Sequence, residues 1–122
     1  MERVEEFILE GKSFVYINFS GLRAKDAFFT LIDAARAVVA TYPANSLCTI
    51  TDIANTMFDS GVKDAMARYV AHNAPYVKYG TIIGADGIQK VIVSSVCKSV
   101  GRTPMHFAFS KEQAIDWLLR QE

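Results

Sequence analysis

The fold is decided by residues 47–61, which read LCTITDIANTMFDSG. An apolar run ends at Asp52, a short loop follows, and Asp59, Ser60 and Gly61 open a predicted helix. This arrangement puts a carboxylate at the tip of a strand and a hydroxyl at a helix N-terminus, where free backbone N–H groups favour negative charge. The segment is therefore either a phosphate switch or a capped turn.

Outward from this segment, apolar periodicity predicts strands that alternate with helices. The predicted strands cover residues 5–10, 13–19, 47–51, 77–84 and 105–109, and the predicted helices cover residues 24–42, 60–72, 87–100 and a last stretch after Ser110. The order β-β-α-β-α-β-α-β-α predicts an α/β fold with a mixed, mostly parallel five-stranded sheet and about four flanking helices. The first two strands form a predicted hairpin joined at Gly11 and Lys12, so the first strand should run antiparallel at an edge.

The helix over residues 87–100 competes with a strand, because KVIVSSV is rich in β-branched residues. Asp86 precedes the stretch as an N-cap, Gln89 takes the reciprocal capping-box position, and Gly101 follows, which favours a helix.

The apolar arc of this helix is unusually broad, and Val93 and Cys97 extend it. Burial beneath the last helix explains such an arc. The alternative is a surface for an apolar ligand or for a second copy of the chain in a homodimer.

The composition of the chain limits the classes of protein to which it can belong. The chain has 122 residues, so we expect residues 1–122 to form one domain. Thirteen basic and thirteen acidic residues give a net charge of zero, which argues against a nucleic-acid partner. No apolar run is long enough for a transmembrane segment. The N-terminus lacks a signal-peptide layout, so we expect a cytoplasmic protein in which Cys48 and Cys97 are buried thiols.

Motifs for catalysis and cofactors are missing from the sequence. His72 and His106 have no partner at metal-ligand spacing. No serine lies in a G-x-S-x-G elbow, and neither a P-loop nor a dinucleotide fingerprint occurs. Asp52 and Asp59 are acids near a helix start, but no base and nucleophile accompany them. We therefore expect a protein that is not an enzyme and that has no cofactor and no bound metal.

The chain resembles the SpoIIAA-like proteins, described as STAS/SEC14 domain proteins, over nearly its whole length. The segments that carry the resemblance are VYINFSG, SLCTITDIANTMFDSGV, AHNAPYVKYGTIIGADGIQKVIV and FAFSKEQAIDWL. The resemblance implies a mixed sheet flanked by helices, in agreement with the pattern above.

The wider STAS group includes anti-sigma-factor antagonists, in which a partner kinase phosphorylates a serine in an Asp-Ser-Ser/Thr-Gly motif at a helix start. The matching place here reads Asp59-Ser60-Gly61-Val62, which is one residue shorter and has Ser60 as its only hydroxyl. The resemblance implies Ser60 as the phosphorylation site and a regulator or kinase of sigma-factor type as the protein partner. A plain N-cap formed by Asp59 or Ser60 is the alternative.

Two functions follow as expectations. The first is a regulatory or interaction domain that docks a protein partner through its loop and second helix; the loop residues expected to take part are Asp52, Met57, Asp59, Ser60 and Gly61. The second, implied by the SEC14 side of the resemblance, is a carrier of a small apolar or lipid-like ligand. Its cleft would have Val93 and Cys97 on the wall and a volume of about 300 Å³ or more.

Overall fold

Strands and helices follow one another in the predicted order in the computed structural model, which describes residues 3–56, 59–101 and 105–121, apart from the side chain of Ser60. The elements are β1 (Val4–Leu9), β2 (Lys12–Asn18), α1 (Lys25–Val39), β3 (Leu47–Asp52), α2 (Ser60–Asn73), β4 (Val77–Ile83), α3 (Gly87–Ser99), β5 (His106–Ala108) and α4 (Lys111–Leu119). The α/β class and the mixed five-stranded sheet with four helices are confirmed.

The sheet has the strand order β1-β2-β3-β4-β5. β1 runs antiparallel to β2 at one edge, as predicted, and the other neighbouring pairs are parallel. The three parallel crossovers all step in the same direction along the sheet. Because such crossovers are right-handed, α1, α2 and α3 lie together on one face. α4 follows the last strand and packs against β3, β4 and β5 on the opposite face.

Alternate residues of the central strands fill the two layers of the core. Val15 and Ile17 of β2 point to the layer with α1, α2 and α3, whereas Phe14 points to the layer with α4. All three side chains have no exposed surface. A strand covered on both faces has no need to alternate apolar and polar residues, which explains the continuous apolar run of β2.

The turn between β1 and β2 differs from the prediction by one residue. Glu10 and Gly11 form it, with φ of 50° and 77°, and Lys12 already belongs to β2. Positive φ at both central residues is typical of the two-residue hairpin turn whose twist matches the flanking strands. The Lys12 ammonium then donates to the carbonyls of Leu118 and Leu119 at 2.9 and 3.2 Å and so caps the end of α4.

α3 is a helix, as the cap before it predicted, but its packing differs from the expectation. It packs against α2, while α4 covers the other face of the sheet, so burial of α3 beneath the last helix is wrong. Its buried stripe consists of Gln89, Val93, Val96 and Cys97. Ile88 and Val91 instead face outward, with 74% and 70% of their surface exposed.

Candidate functional site

The segment that follows β3 begins with a turn made by Asp52. Its Oδ1 accepts a hydrogen bond from the backbone N–H of Ala54 at 3.0 Å, and its Oδ2 accepts one from the Tyr16 hydroxyl at 3.3 Å. An aspartate that binds the backbone two residues ahead stabilises its own turn. The geometry of Asp52 is thus that of a turn residue. We refer to residues 52–61 below as the 52–61 segment.

Backbone hydrogen bonds from both neighbouring strands hold the first half of this segment. On the β2 side, the N–H of Phe19 donates to the carbonyl of Asp52, and the N–H of Gly21 donates to the carbonyl of Ala54, both at 2.8 Å. On the β4 side, the N–H of Ile53 donates to the carbonyl of Ile83 at 3.0 Å. The first half of the segment is therefore anchored between the carboxyl ends of β2 and β4, the two parallel strands that flank β3.

A third anchor comes from α3. The Nε2 atom of Gln89 donates to the carbonyl of Thr56 at 3.0 Å and to the carbonyl of Ile53 at 3.3 Å. The sequence predicted Gln89 only as a capping-box residue, which uses its side-chain oxygen. The signal that could have revealed the second role is the place of Gln89 on the buried stripe of α3, because a buried amide NH₂ needs acceptors.

Asp59 is the N-cap of α2. Its Oδ1 accepts from the backbone N–H of Val62 at 2.8 Å, and its Oδ2 forms an ion pair with the Lys25 ammonium at 3.1 Å. The hydrogen bond from Val62, followed by the contact with Lys25, lowers the pKa of the Asp59 carboxyl below its ordinary value. The same ammonium lies 3.5 Å from the place that a Cβ on Gly61 would occupy. A positive charge therefore sits directly against the first turn of α2.

The structure describes the remaining predicted loop residues to different extents. Ser60 is the first residue of α2, but its side chain lies outside the described part of the structure, and Met57 lies outside it altogether. Asp52 and Asp59 bind different partners. Asp52 contacts Tyr16 in the layer that holds α4, whereas Asp59 contacts Lys25 at the start of α1. The contacts therefore place these two carboxylates in separate arrangements.

Tyr16 belongs to a small charged cluster beside α4. The Lys111 ammonium lies 4.3 Å from the centre of the Tyr16 ring and pairs with the Glu5 carboxylate at 3.0 Å. Burial, and then the nearby charge of Asp52, raise the pKa of the Tyr16 hydroxyl to about 12. The phenol therefore stays protonated at neutral pH and acts as a hydrogen-bond donor to Asp52. Within the described residues, no group of three or more His, Cys, Asp or Glu side chains could hold a metal ion.

The predicted surface residues Val93 and Cys97 both belong to the core. Their exposed fractions are 5% and 0%. Val93 lines a small, partly open pocket of about 20 Å³ between α2, α3 and the sheet, together with Met66 and Ile92. Such a pocket holds about one water molecule. An exposed dimer surface through Val93 and Cys97 does not fit this burial, since this part of the apolar arc of α3 packs inward on α2 and the sheet. A ligand-binding wall at these residues stays a prediction.

Among the helices that the structure describes, none is long and apolar enough to cross a bilayer. No protein-family profile matches the sequence, and no curated protein does either.

A solved structure with a similar fold comes from Shewanella loihica PV-4. It is an uncharacterised protein of the DUF3478 family that is described as having a SpoIIAA-like fold. The match covers 94% of this chain and 91% of that one, with a TM-score of 0.67 and 16% sequence identity. An identity this low shows a shared fold and nothing finer. With its mixed five-stranded sheet and four helices, the chain has a SpoIIAA-like fold.

Proposed function

We propose that this chain is a non-enzymatic interaction domain of the STAS type, which docks a protein partner through the 52–61 segment and the exposed face of α2. The observation that supports this most is the hydrogen-bonded frame around the segment, which is anchored to β2, β4 and α3. Residues 52–56, which these hydrogen bonds hold, lose less conformational entropy when they bind a partner. The resemblance to anti-sigma-factor antagonists suggests a regulator or kinase of sigma-factor type as the partner.

The charges on α2 fit a protein partner better than a polyanion. Lys63, Asp64 and Arg68 are exposed along the helix, and Asp59 with Lys25 precedes them. Both signs therefore alternate over one surface. Such a pattern selects and orients a complementary protein surface, whereas a nucleic acid requires a single positive field.

Ser60 is the regulatory position in this proposal. A phosphoryl group on the first residue of α2 gains from the positive end of the helix dipole, but it adds negative charge next to Asp59, which already accepts from the Val62 N–H. Phosphorylation therefore changes the charge of the docking surface and opposes binding to a partner that recognises the unmodified form.

The test uses the protein purified from its native host. Mass spectrometry measures phosphate on Ser60, and Ser60→Ala and Ser60→Asp variants are compared for the partners they retain. Ser95→Asp, which adds the same charge at an exposed position in the middle of α3, is the matched control. We expect phosphate on Ser60 and loss of the partner with Ser60→Asp only. If Ser60 is never phosphorylated and the Ser60→Asp variant retains the same partners as the wild type, Ser60 is not a regulatory switch.

A carrier of a small apolar ligand has less support. The pocket of about 20 Å³ beside α3 is far below the roughly 300 Å³ of a typical ligand pocket. A larger open groove of about 710 Å³ lies beside β4, but Lys78, His106 and Gln121 contribute polar groups to its lining. Native mass spectrometry of the host-purified protein tests the carrier function directly, since a bound lipid adds its own mass.

A further inference from the structure

Gln89 takes part in two separate sets of hydrogen bonds. In its own helix it completes a capping box, because its N–H donates to Asp86 Oδ1 at 2.8 Å and its Oε1 accepts from the Asp86 N–H at 3.0 Å. These contacts account for its backbone N–H and for its side-chain oxygen. The two protons on Nε2 take no part in the cap.

The Nε2 protons point out of α3 to the loop before α2. They reach the carbonyls of Thr56 and Ile53 at 3.0 and 3.3 Å, and Gln89 itself is 8% exposed. A side-chain amide has two N–H donors, so both are used here. Of the two acceptors, the carbonyl of Ile53 also accepts from the Thr56 N–H, so loss of the amide costs most at the buried residue Thr56.

The loop residues held in this way are themselves part of the frame. The Thr56 hydroxyl donates to the carbonyl of Phe19 at 3.0 Å, and the Thr56 N–H donates to the carbonyl of Ile53 at 3.3 Å. The carbonyl of Ala54, between the two acceptors of Gln89, binds the N–H of Gly21. Gln89 therefore binds on both sides of the residue that connects the loop to the end of β2.

We propose that Gln89 is a positioning residue that sets the conformation of residues 53–56 from α3. The importance of this conformation for docking rests on the function proposed above, whereas the ordering of the loop is independent of it.

α4 provides a matched comparison. Gln113 stands three residues after the N-cap Ser110, its N–H donates to the Ser110 hydroxyl at 3.1 Å, and its Oε1 accepts from the Phe109 N–H at 3.1 Å. This glutamine is exposed. Replacing Gln113 by methionine therefore removes a helix-capping contact of the same kind, without touching the 52–61 segment.

The experiment measures backbone amide hydrogen exchange by NMR in the wild type, Gln89→Met and Gln113→Met. The reporters are the amides of Gly21 and Thr56, which donate into the loop, and the reference is the amide of Leu47, which donates to Tyr76. We expect exchange at the two reporters to accelerate by roughly ten- to thirtyfold in Gln89→Met, the effect of one or two lost hydrogen bonds to buried carbonyls. Exchange at Leu47 should change little, and Gln113→Met should leave all three amides unchanged.

Equal acceleration at Gly21, Thr56 and Leu47 would overturn the proposal, because the residue would then only stabilise the whole fold. No acceleration at the reporters would overturn it as well. Gln89→Glu keeps an acceptor for the Asp86 amide but has no N–H donor, and it should reproduce the loosened loop if Gln89→Met does not fold. Partner binding is scored separately: a loosened loop with unchanged binding upholds the positioning role and counts against the docking function.

Discussion

A Cβ atom on Gly84 would lie 2.7 Å from the Cβ of Ala54 and 2.8 Å from its backbone nitrogen. Gly84 follows β4 directly and has a φ of 77°, a conformation that residues with a side chain rarely adopt. The absence of a side chain lets the end of β4 pass against the turn that Asp52 makes after β3. The 52–61 segment thus depends on a glycine that lies about thirty residues further along the chain.

Gly84→Ala should destabilise the protein strongly. The left-handed conformation costs an alanine roughly 1–2 kcal/mol, and the clash with Ala54 adds about 1–3 kcal/mol. Gly11→Ala is the control, since Gly11 has the same φ of 77° and a Cβ there meets no described atom within 4 Å. Chemical denaturation of the two variants measures the difference. Equal losses in the free energy of unfolding for the two variants would show that the close approach to Ala54 does not contribute to the cost of Gly84→Ala.

Asp59 should make the stability of the protein depend on pH in the acid range. The pKa of its carboxyl is lowered in the folded state, first by the hydrogen bond from the Val62 N–H and then by Lys25. The contribution of a group with a lowered pKa is present above its unfolded pKa and is lost as pH falls through the folded pKa. Asp59→Asn keeps a side-chain oxygen for the cap but removes the charge.

The free energy of unfolding of the wild type should therefore exceed that of Asp59→Asn at neutral pH, and the two should converge on acidification. Urea denaturation at a series of pH values checks this. A difference that persists undiminished into strong acid would mean that the charge of Asp59 does not contribute.

Tyr16 should titrate about two pH units above an ordinary tyrosine, with a pKa of about 12. Tyr42, whose hydroxyl donates to Glu6 at 2.7 Å, has a pKa of about 12 as well, so the two phenols need separate assignment. Since the folded pKa is raised, the contribution of Tyr16 to stability is present below pH 10 and is lost as pH rises through 12.

The ring signals of labelled tyrosines, followed by NMR during an alkaline titration, test this relationship. Asp52→Asn should lower the pKa of Tyr16 without returning it to the ordinary value, because burial is the larger cause. Tyr42 should be unaffected by this variant and is the internal control. An unchanged pKa of Tyr16 in Asp52→Asn would contradict the contact between the two residues.

Cys48 and Cys97 should both resist thiol reagents in the folded protein. Their exposed fractions are 3% and 0%, and burial raises the pKa of the Cys48 thiol, which disfavours the reactive thiolate. A colorimetric thiol assay should find slow reaction in buffer and two reactive thiols in denaturant. Ser95→Cys, at an exposed position on α3, should add one fast thiol. Fast reaction of Cys97 in the native protein would show that its thiol is accessible to solvent, which would contradict its place in the core.

The order of elements could be predicted because each one carries a local signal. The β-branched stretch of α3 shows this best, since the capping box of Asp86 and Gln89 and the Gly101 that follows the stretch favour a helix without any tertiary contact. The continuous apolar run of β2 likewise predicted a strand that is covered on both faces. Periodicity and caps are properties of neighbouring residues, so the sequence contains them directly.

The partners of each element could not be predicted in the same way. The broad apolar arc of α3 indicated that the helix is buried but not which element buries it, so burial beneath the last helix and a ligand or dimer surface at Val93 and Cys97 both fitted the pattern. The side-chain amide of Gln89 binds Thr56, and Gly84 lies against Ala54. In both pairs the two residues are about thirty positions apart in the sequence. Such contacts depend on the completed topology, and a local pattern does not encode them.

The most direct test of the docking function is site-specific photo-crosslinking in cells of the native host. A benzophenone side chain is placed at Asp64, on the exposed face of α2, and in a second protein at Glu112, on the exposed face of α4. We expect a covalent adduct with one protein partner from Asp64 and none from Glu112, and we expect the Asp64 adduct to disappear in a Ser60→Asp background. Adducts that form equally from both positions, or only from Glu112, would contradict docking at the 52–61 segment and α2.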